Sequence, residues 1–293
     1  FFDLTFAPLI EAVAAQCPSV KHWVAMTDRE HMPELNVPNL LCYEDLLVAE
    51  SNDFAWPQLD ENSACALCYT SGTTGNPKGV LYSHRSTLLH AFSSAMPDSM
   101  NLSASDAVLP VVPMFHVNAW GIPYAAPMVG AKLVFPGAGM DGASLCELFE
   151  NEGVTFTAGV PTVWLGVLQH LLSTGTKLST VKRMIVGGAA CPPALMQSFK
   201  NEYSIKLQHA WGMTELSPLG AVNTLKQRHL TLSDADRFAM VRPPAICWYA
   251  ATGWSTSTSA RTTARWKTAG FPPVMWPTLI RTASCKSPTA PRT

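Results

Sequence analysis

The feature that most constrains this chain is a run of glycines and hydroxyl side chains closed by one lysine, Tyr69-Thr-Ser-Gly-Thr-Thr-Gly-Asn-Pro-Lys78-Gly79. Apolar segments at 64–69 and 80–82 flank it, which predicts a loop between two strands. Glycines let a backbone turn sharply and bring its N–H groups close to an anion, where a Cβ would obstruct them. Because the hydroxyls and the charge of Lys78 add further donors to phosphate oxygens, the run predicts a triphosphate site.

Two other interpretations of this run are weaker. Clusters of Gly, Ser, Thr, Asn and Pro usually form ordinary surface loops. A lysine directly after Asn-Pro and apolar strands on both sides favour anion binding instead. The Walker spacing of kinases and GTPases is absent, because no Gly-Lys-Ser/Thr follows a glycine at the required distance.

The whole run resembles the signature of the adenylate-forming enzymes, which include acyl-CoA synthetases, luciferases and peptide-synthetase adenylation domains. Two later segments match the same superfamily, Val186-Gly-Gly-Ala-Ala-Cys-Pro192 and Ala210-Trp-Gly-Met-Thr-Glu215. Residues 1–232 most resemble bacterial medium- to long-chain fatty-acid-CoA ligases. The resemblance implies ATP-dependent activation of a fatty acid to an acyl-adenylate and then to acyl-CoA, with Mg²⁺ and coenzyme A taking part.

The resemblance also implies roles for particular residues. Lys78, Thr214 and Glu215 are the expected catalytic residues, with Thr214 at the α-phosphate and with Thr70 and Glu215 serving the metal ion. The expected nucleotide-binding residues are Thr70, Ser71, Gly72, Thr73, Thr74, Gly75, Gly187, Gly188, Ala189, Ala210, Trp211, Gly212 and Met213. Independently, a carboxylate after a strand suits Mg²⁺ bound with phosphate oxygens. The alternatives are a solvated carboxylate at Glu215 and a simple strand-to-helix turn at 187–189.

The segment Pro113-Met-Phe-His-Val-Asn-Ala-Trp-Gly121 bears on which acid is used. Amino-acid-activating relatives usually carry an Asp near the position of His116, and this segment has none. Its apolar side chains favour an aliphatic acyl chain, with His116 and Trp120 as substrate residues. Two alternatives stay open: His116 as a core histidine, and Trp120 as a core aromatic instead of a gate to the acyl tunnel.

Alternating strands and helices predict an α/β fold, the partial large N-terminal domain of an acyl-CoA synthetase, with mainly parallel sheet layers covered by helices. Phe6, Leu9, Ile10 and Val13 lie at helical spacing at the start of the chain. Further helices are predicted at 43–49, 86–96, 141–150, 161–172 and 192–203, and strands at 22–26, 64–69, 80–82, 155–160, 184–186 and 205–210. The stretches 106–115 and 131–135 are predicted to be rich in strand.

The last fifth of the chain has a different character. Residues 1–236 carry all 21 acidic residues, whereas residues 237–293 carry 8 of the 20 basic residues and no acid. We therefore predict a partial domain over 1–240 and an irregular basic tail over 241–293, without the family's lid domain. Our interpretation is that translation left its natural frame near Arg242, or that the gene carries such a lesion; a disordered tail is the alternative. We expect the fragment alone to have little or no ligase activity. Because the basic residues are scattered, a nucleic-acid partner is not predicted.

Other features set broad limits. The eight cysteines lie in apolar contexts, and the pair Cys65 and Cys68 is a weak metal signal, so we expect free thiols and a cytoplasmic protein, with membrane association left open. The acid- and base-free stretch 107–131 contains four prolines, which argues against a membrane span. Two functional alternatives remain: an aryl-acid or other carboxylate adenylating enzyme without CoA, and a non-catalytic nucleotide- or acyl-binding remnant. A homodimer is an option for the intact family member.

Overall fold

The computed structural model describes residues 1–70, 78–233 and 236–237. Five predicted loop residues (Ser71, Gly72, Thr73, Thr74 and Gly75) and the predicted tail at 241–293 lie outside the described residues. The chain divides into two compact units, Phe1–Gln58 and the part from Leu59 onward.

The first unit is small. It contains helix α1 (Ala7–Val13), strands β1 (Trp23–Ala25) and β2 (Leu40–Cys42), and helix α2 (Tyr43–Val48). The two strands are parallel, with Trp23 opposite Leu40. The helix predicted from the spacing of Phe6, Leu9, Ile10 and Val13 is present as α1, on which Ala7 is buried and Leu9 is exposed.

A six-stranded sheet organises the second unit. Its order is β10-β9-β8-β7-β5-β6, and only β10 runs antiparallel to its neighbour. The strands are β5 (Ala107–Pro110), β6 (Lys132–Leu133), β7 (Phe156–Gly159), β8 (Arg183–Val186), β9 (Lys206–Gly212) and β10 (Leu219–Val222). A separate antiparallel hairpin consists of β3 (Ala64–Tyr69) and β4 (Gly79–Ser83). The predicted α/β fold with a mainly parallel sheet is confirmed.

Helices cover both faces of this sheet. They are α3 (His84–Ala95), the single turn α4 (Val117–Trp120), α5 (Ile122–Val129), α6 (Gly142–Asn151), α7 (Pro161–Thr174) and α8 (Pro193–Tyr203). Successive side chains of a strand point to opposite faces, so Met184 packs in the core beneath α6, α7 and α8, while Ile185 packs with α4 and α5. No helix among the described residues has the length and apolarity needed to cross a membrane.

Two boundaries differ from the sequence prediction for identifiable reasons. Helix α3 begins before Ser86 because Ser83 caps it, with Ser83 Oγ accepting from Ser86 N and Ser86 Oγ accepting from Ser83 N, both at 3.1 Å. The stretch 106–115, predicted to be rich in strand, contains strand β5 only as far as Pro110. The chain continues there into α4, whose backbone is far from extended.

Candidate active site

The carboxyl ends of adjacent parallel strands bring the predicted segments together. The segment 187–189 follows β8, 213–215 follows β9, and 111–121 follows β5. A Cβ built on Gly187 would lie 3.0 Å from the Ala210 carbonyl oxygen and 3.0 Å from Trp120 Cη2. These three segments therefore meet at one edge of the sheet, where ligands gather in open α/β folds.

Trp120 occupies the space in front of the glycine pair. Its indole is buried, 9% exposed, and approaches both Gly187 and Gly188. Gly188 has a φ of +77°, which disfavours any side chain there, and it is exposed together with Ala189. The Trp120 indole thus packs against Gly187, while Gly188 and Ala189 remain accessible to a ligand.

The turn α4 that carries Trp120 is left-handed. All four of its residues have positive φ, from 44° at Val117 to 58° at Trp120. Left-handed backbone costs an L-residue about 1–2 kcal/mol, so the turn stores a total on the order of 4–8 kcal/mol. Burial of Val117, Ala119 and Trp120 holds it in place, and Asn118 Oδ1 accepts from Cys68 Sγ at 3.7 Å.

Three other side chains of the predicted acyl segment, those of Met114, Phe115 and His116, are exposed. His116 is exposed, which rules out the core-histidine alternative. Met114 and Phe115 are 56% and 89% exposed. The structure therefore brings Trp120 to the strand edge and places the other three on the surface of this unit.

The two ends of the predicted phosphate loop are bonded to each other. Thr70 N donates to Lys78 O at 2.9 Å, and Lys78 N donates to Thr70 Oγ1 at 3.2 Å. One bond to the backbone and one to the Thr70 side chain, just beyond the last β3–β4 pair Tyr69 and Gly79, set the start and end of the loop side by side. The Lys78 side chain is exposed, as a phosphate ligand must be before it binds.

One buried hydroxyl links this hairpin to the acidic corner. Tyr82 lies on β4, four residues after Lys78, and its Oη donates to the Thr214 carbonyl oxygen at 2.5 Å. Tyr82 is 3% exposed, and burial raises the pKa of its hydroxyl, with further contributions from Cys68 and Glu215. The phenol therefore stays protonated and able to donate across the physiological range.

The loop after β9 is closed on itself. Met213 N donates to Pro218 O at 3.0 Å, and Leu216 N donates to Met213 O at 2.9 Å. The Ser217–Pro218 bond is cis, and a Cβ on Gly212 would clash with the Pro218 carbonyl. The short 3₁₀ turn Thr214–Leu216 inside this loop leaves Thr214 and Glu215 half-buried.

The chemistry of these groups fits a magnesium ion. Thr70 and Glu215 offer a hydroxyl and a carboxylate oxygen, the hard donors that Mg²⁺ prefers. Within the described ranges, no three His, Cys, Asp or Glu side chains form a metal-binding group. An ion at Glu215 would therefore complete its shell with phosphate oxygens and water.

Sequence reasoning missed three of the residues that hold this edge together: Tyr82, Asn118 and His90. Tyr82 bonds a residue 132 positions away in the chain, and the Asn118 contact spans 50 positions. The only local signal was the position of Tyr82 in a strand directly after the loop. The Cys65 and Cys68 pair lies on β3, and both residues are free thiols.

Known proteins are similar to this chain in both sequence and fold. The family described as AMP-binding enzyme matches residues 8–241. A medium-chain-fatty-acid-CoA ligase of Ectopseudomonas oleovorans is 51% identical over 246 residues, which cover 83% of this chain and 45% of that protein. A 3-methylmercaptopropionyl-CoA ligase of Ruegeria lacuscaerulensis is 50% identical over 232 residues, 79% of this chain and 43% of that protein.

A solved structure of the anthranilate CoA ligase AuaEII in complex with anthranoyl-AMP has the same fold. Its TM-score is 0.67 at 24% identity, and the match covers 75% of this chain and 42% of that one. The chain thus spans less than half the length of the curated relatives it matches.

Proposed function

Because the chain belongs to the AMP-binding enzyme family, we propose that it forms the nucleotide- and acyl-binding part of an acyl-CoA ligase. The observation that carries this proposal is the hydrogen bond from Tyr82 to the Thr214 carbonyl. It joins the hairpin that bears Thr70 and Lys78 to the loop that bears Glu215. One triphosphate can then contact both elements.

The proposed reaction begins with the attack of a carboxylate oxygen on the α-phosphorus of ATP. A new P–O bond forms as the bond to pyrophosphate breaks, and the products are an acyl-adenylate and pyrophosphate. Two anions must approach each other, so the protein's task is positioning and charge compensation. We assign Lys78 and the loop hydroxyls to the phosphates, and Thr214 to the α-phosphate. Mg²⁺ held by Glu215 and Thr70 would supply further positive charge.

An apolar acid is the favoured substrate. Trp120 is the side chain that the structure brings to the strand edge, and an indole there suits an alkyl chain better than a charged substrate group. The two similar ligases named above act on a medium-chain fatty acid and on 3-methylmercaptopropionate. We propose a fatty acid for this chain, with coenzyme A as the second substrate of the whole enzyme.

This chain alone should bind its ligands and turn over slowly. The similar ligases are more than twice as long as the part they share with it. We therefore propose that residues outside this chain complete the thioester-forming step. The described cysteines, Cys17, Cys42, Cys65, Cys68, Cys146 and Cys191, are free thiols, which suits a reducing compartment such as the cytoplasm.

Titration calorimetry on the folded chain tests the proposal. Mg·ATP and decanoate should each bind, and benzoate should bind more weakly than decanoate. Stronger binding of benzoate would favour an aryl-acid enzyme. Acid-dependent pyrophosphate exchange at the rates of full-length ligases would show that the chain is catalytically complete. A folded chain that binds no Mg·ATP would contradict the proposal.

A further inference from the structure

His90 occupies the junction between the two sides of the candidate site. It lies in the middle of α3 and is 2% exposed. Burial lowers the pKa of its imidazole to about 4, so the ring is neutral at physiological pH. The proposed reaction makes no use of this ring, although a buried histidine with specific backbone contacts has to be accounted for.

One ring nitrogen holds the loop that carries Glu215. Leu219 N donates to His90 Nε2 at 3.1 Å. An N–H can be donated only to an unprotonated nitrogen, so the ring proton is on Nδ1, which lies 3.4 Å from Ser94 Oγ. Leu219 directly follows Pro218, whose carbonyl closes the Thr214–Glu215 loop. His90 therefore fixes the point where this loop returns to the sheet.

The other side of the ring touches the acyl segment. A Cβ built on Gly121 would lie 2.5 Å from His90 Nδ1 and 2.6 Å from Cε1. Gly121 has a φ of +76° and ends the left-handed turn that carries Trp120. The backbone thus approaches the imidazole closely where only glycine fits, and a shift of the ring must move either Gly121 or Leu219.

We propose that His90 is a positioning residue that couples the acyl side of the site to its magnesium-phosphate side. Its neutral imidazole, protonated on Nδ1, packs against Gly121 and accepts a hydrogen bond from Leu219 N. The ring thereby fixes the position of the turn that carries Trp120 relative to the loop that carries Glu215. A carboxylic acid that binds against Trp120 changes the affinity for Mg·ATP through this ring. The inference rests on the proposed function.

A pair of amide substitutions isolates the Leu219 hydrogen bond. In His90→Gln the side-chain oxygen can reach the position of Nε2, whereas in His90→Asn it reaches only that of Nδ1. Amide hydrogen exchange at Leu219 should be about tenfold faster in His90→Asn than in His90→Gln. The affinity for Mg·ATP should fall about tenfold in His90→Asn, and His90→Gln should restore it to within about twofold of the unsubstituted chain.

The coupling is measured by titrating Mg·ATP with and without saturating decanoate. The unsubstituted chain should show an affinity change on adding decanoate that His90→Asn abolishes and His90→Gln keeps. Equal exchange and equal affinities in the two variants would overturn the proposal. The exchange measurement needs no ligand, so a chain that binds no Mg·ATP would refute the proposed function without deciding the role of His90.

Two measurements remain decisive if His90→Asn does not fold. Nitrogen-15 spectra of the unsubstituted chain should show neutral His90 protonated on Nδ1; a proton on Nε2 would overturn the proposal. Gly121→Ala pushes on the ring from the opposite side and should speed exchange at Leu219 several-fold. Unchanged exchange at Leu219 in a folded Gly121→Ala chain would also overturn it.

Discussion

Removing the hydroxyl of Tyr82 should weaken nucleotide binding without altering the shape of the hairpin. In Tyr82→Phe the ring keeps its place in the core, but Thr214 O loses the donor that lies 2.5 Å away. Because Tyr82 is 3% exposed, water cannot readily replace the lost donor. The substitution therefore leaves a poorly satisfied carbonyl in the turn that carries Glu215.

The magnitude follows from the cost of one buried hydrogen bond. Breaking it costs on the order of 1–1.5 kcal/mol, and leaving the acceptor unsatisfied can bring the total to about 3 kcal/mol. Part of this cost appears as lower stability and part as a looser Thr214–Glu215 turn. We expect a fall of about 1–3 kcal/mol in the free energy of unfolding and a Mg·ATP affinity weaker by about tenfold.

Urea unfolding measures the first quantity, and calorimetry with Mg·ATP under folded conditions measures the second. Tyr203→Phe is the matched control, since it makes the same chemical change on α8, away from the strand edge that carries the candidate site. The control should leave Mg·ATP affinity unchanged. If Tyr82→Phe and Tyr203→Phe bind Mg·ATP equally well, the hairpin does not position Glu215 and the reasoning fails.

Three further predictions follow from the structure. In the whole ligase, Lys78→Ala should slow acyl-adenylate formation about a hundredfold, as measured by pyrophosphate exchange. Lys182→Ala is the control, and an equal effect of that substitution would contradict the role of Lys78. Burial alone would raise the pKa of Asp106, but hydrogen bonds from Thr155, Arg183 and Ser103 outweigh it and lower that pKa. Its contribution to stability is therefore present above the unfolded-state pKa and lost as pH falls through the folded-state value. Asp106→Asn should lower the free energy of unfolding in urea by about 3 kcal/mol at pH 7. It should also flatten the acid side of the plot of unfolding free energy against pH, and an unchanged plot would count against the pairing of Asp106 with Arg183. Gly142→Ala would place a methyl group 2.5 Å from Gly166 O between α6 and α7 and should destabilise the fold by about 1–3 kcal/mol in urea unfolding. Gly166→Ala on α7, with open space around its Cβ position, lacks that clash, and equal losses in the two variants would refute the packing argument.

Local patterns predicted the parallel sheet and most helices because periodicity and caps act over a few residues. Strand β8 and helix α8 begin within one residue of their predicted starts. The same patterns failed at α4, where apolar residues adopt left-handed backbone that their own preferences oppose. Tertiary burial of Trp120 and its neighbours stabilises that turn, and no local signal encodes it.

The residues of the candidate site also divide into those that sequence patterns predicted and those that only the assembled fold reveals. The resemblance pointed to residues 187–189 and 213–215, which the structure places after β8 and β9, and to Thr70 and Lys78, which lie at the loop end of the separate β3–β4 hairpin. The resemblance did not predict Tyr82 or His90, because their contacts join β4 and α3 to residues about 130 positions later. A contact at that separation depends on how the sheet is assembled, which the spacing of motifs does not specify.

The central claim is that the loop closed by Lys78 and the turn at Glu215 contact one nucleotide. Paramagnetic broadening by Mn·ATP tests it most directly, because the ion reports its distance to every assigned amide of the chain. We predict that amides at Thr70, Lys78, Thr214 and Glu215 broaden together, along one binding curve, and that Glu215→Gln weakens the broadening. Broadening confined to only one of the two elements, or two separate binding curves, would contradict it.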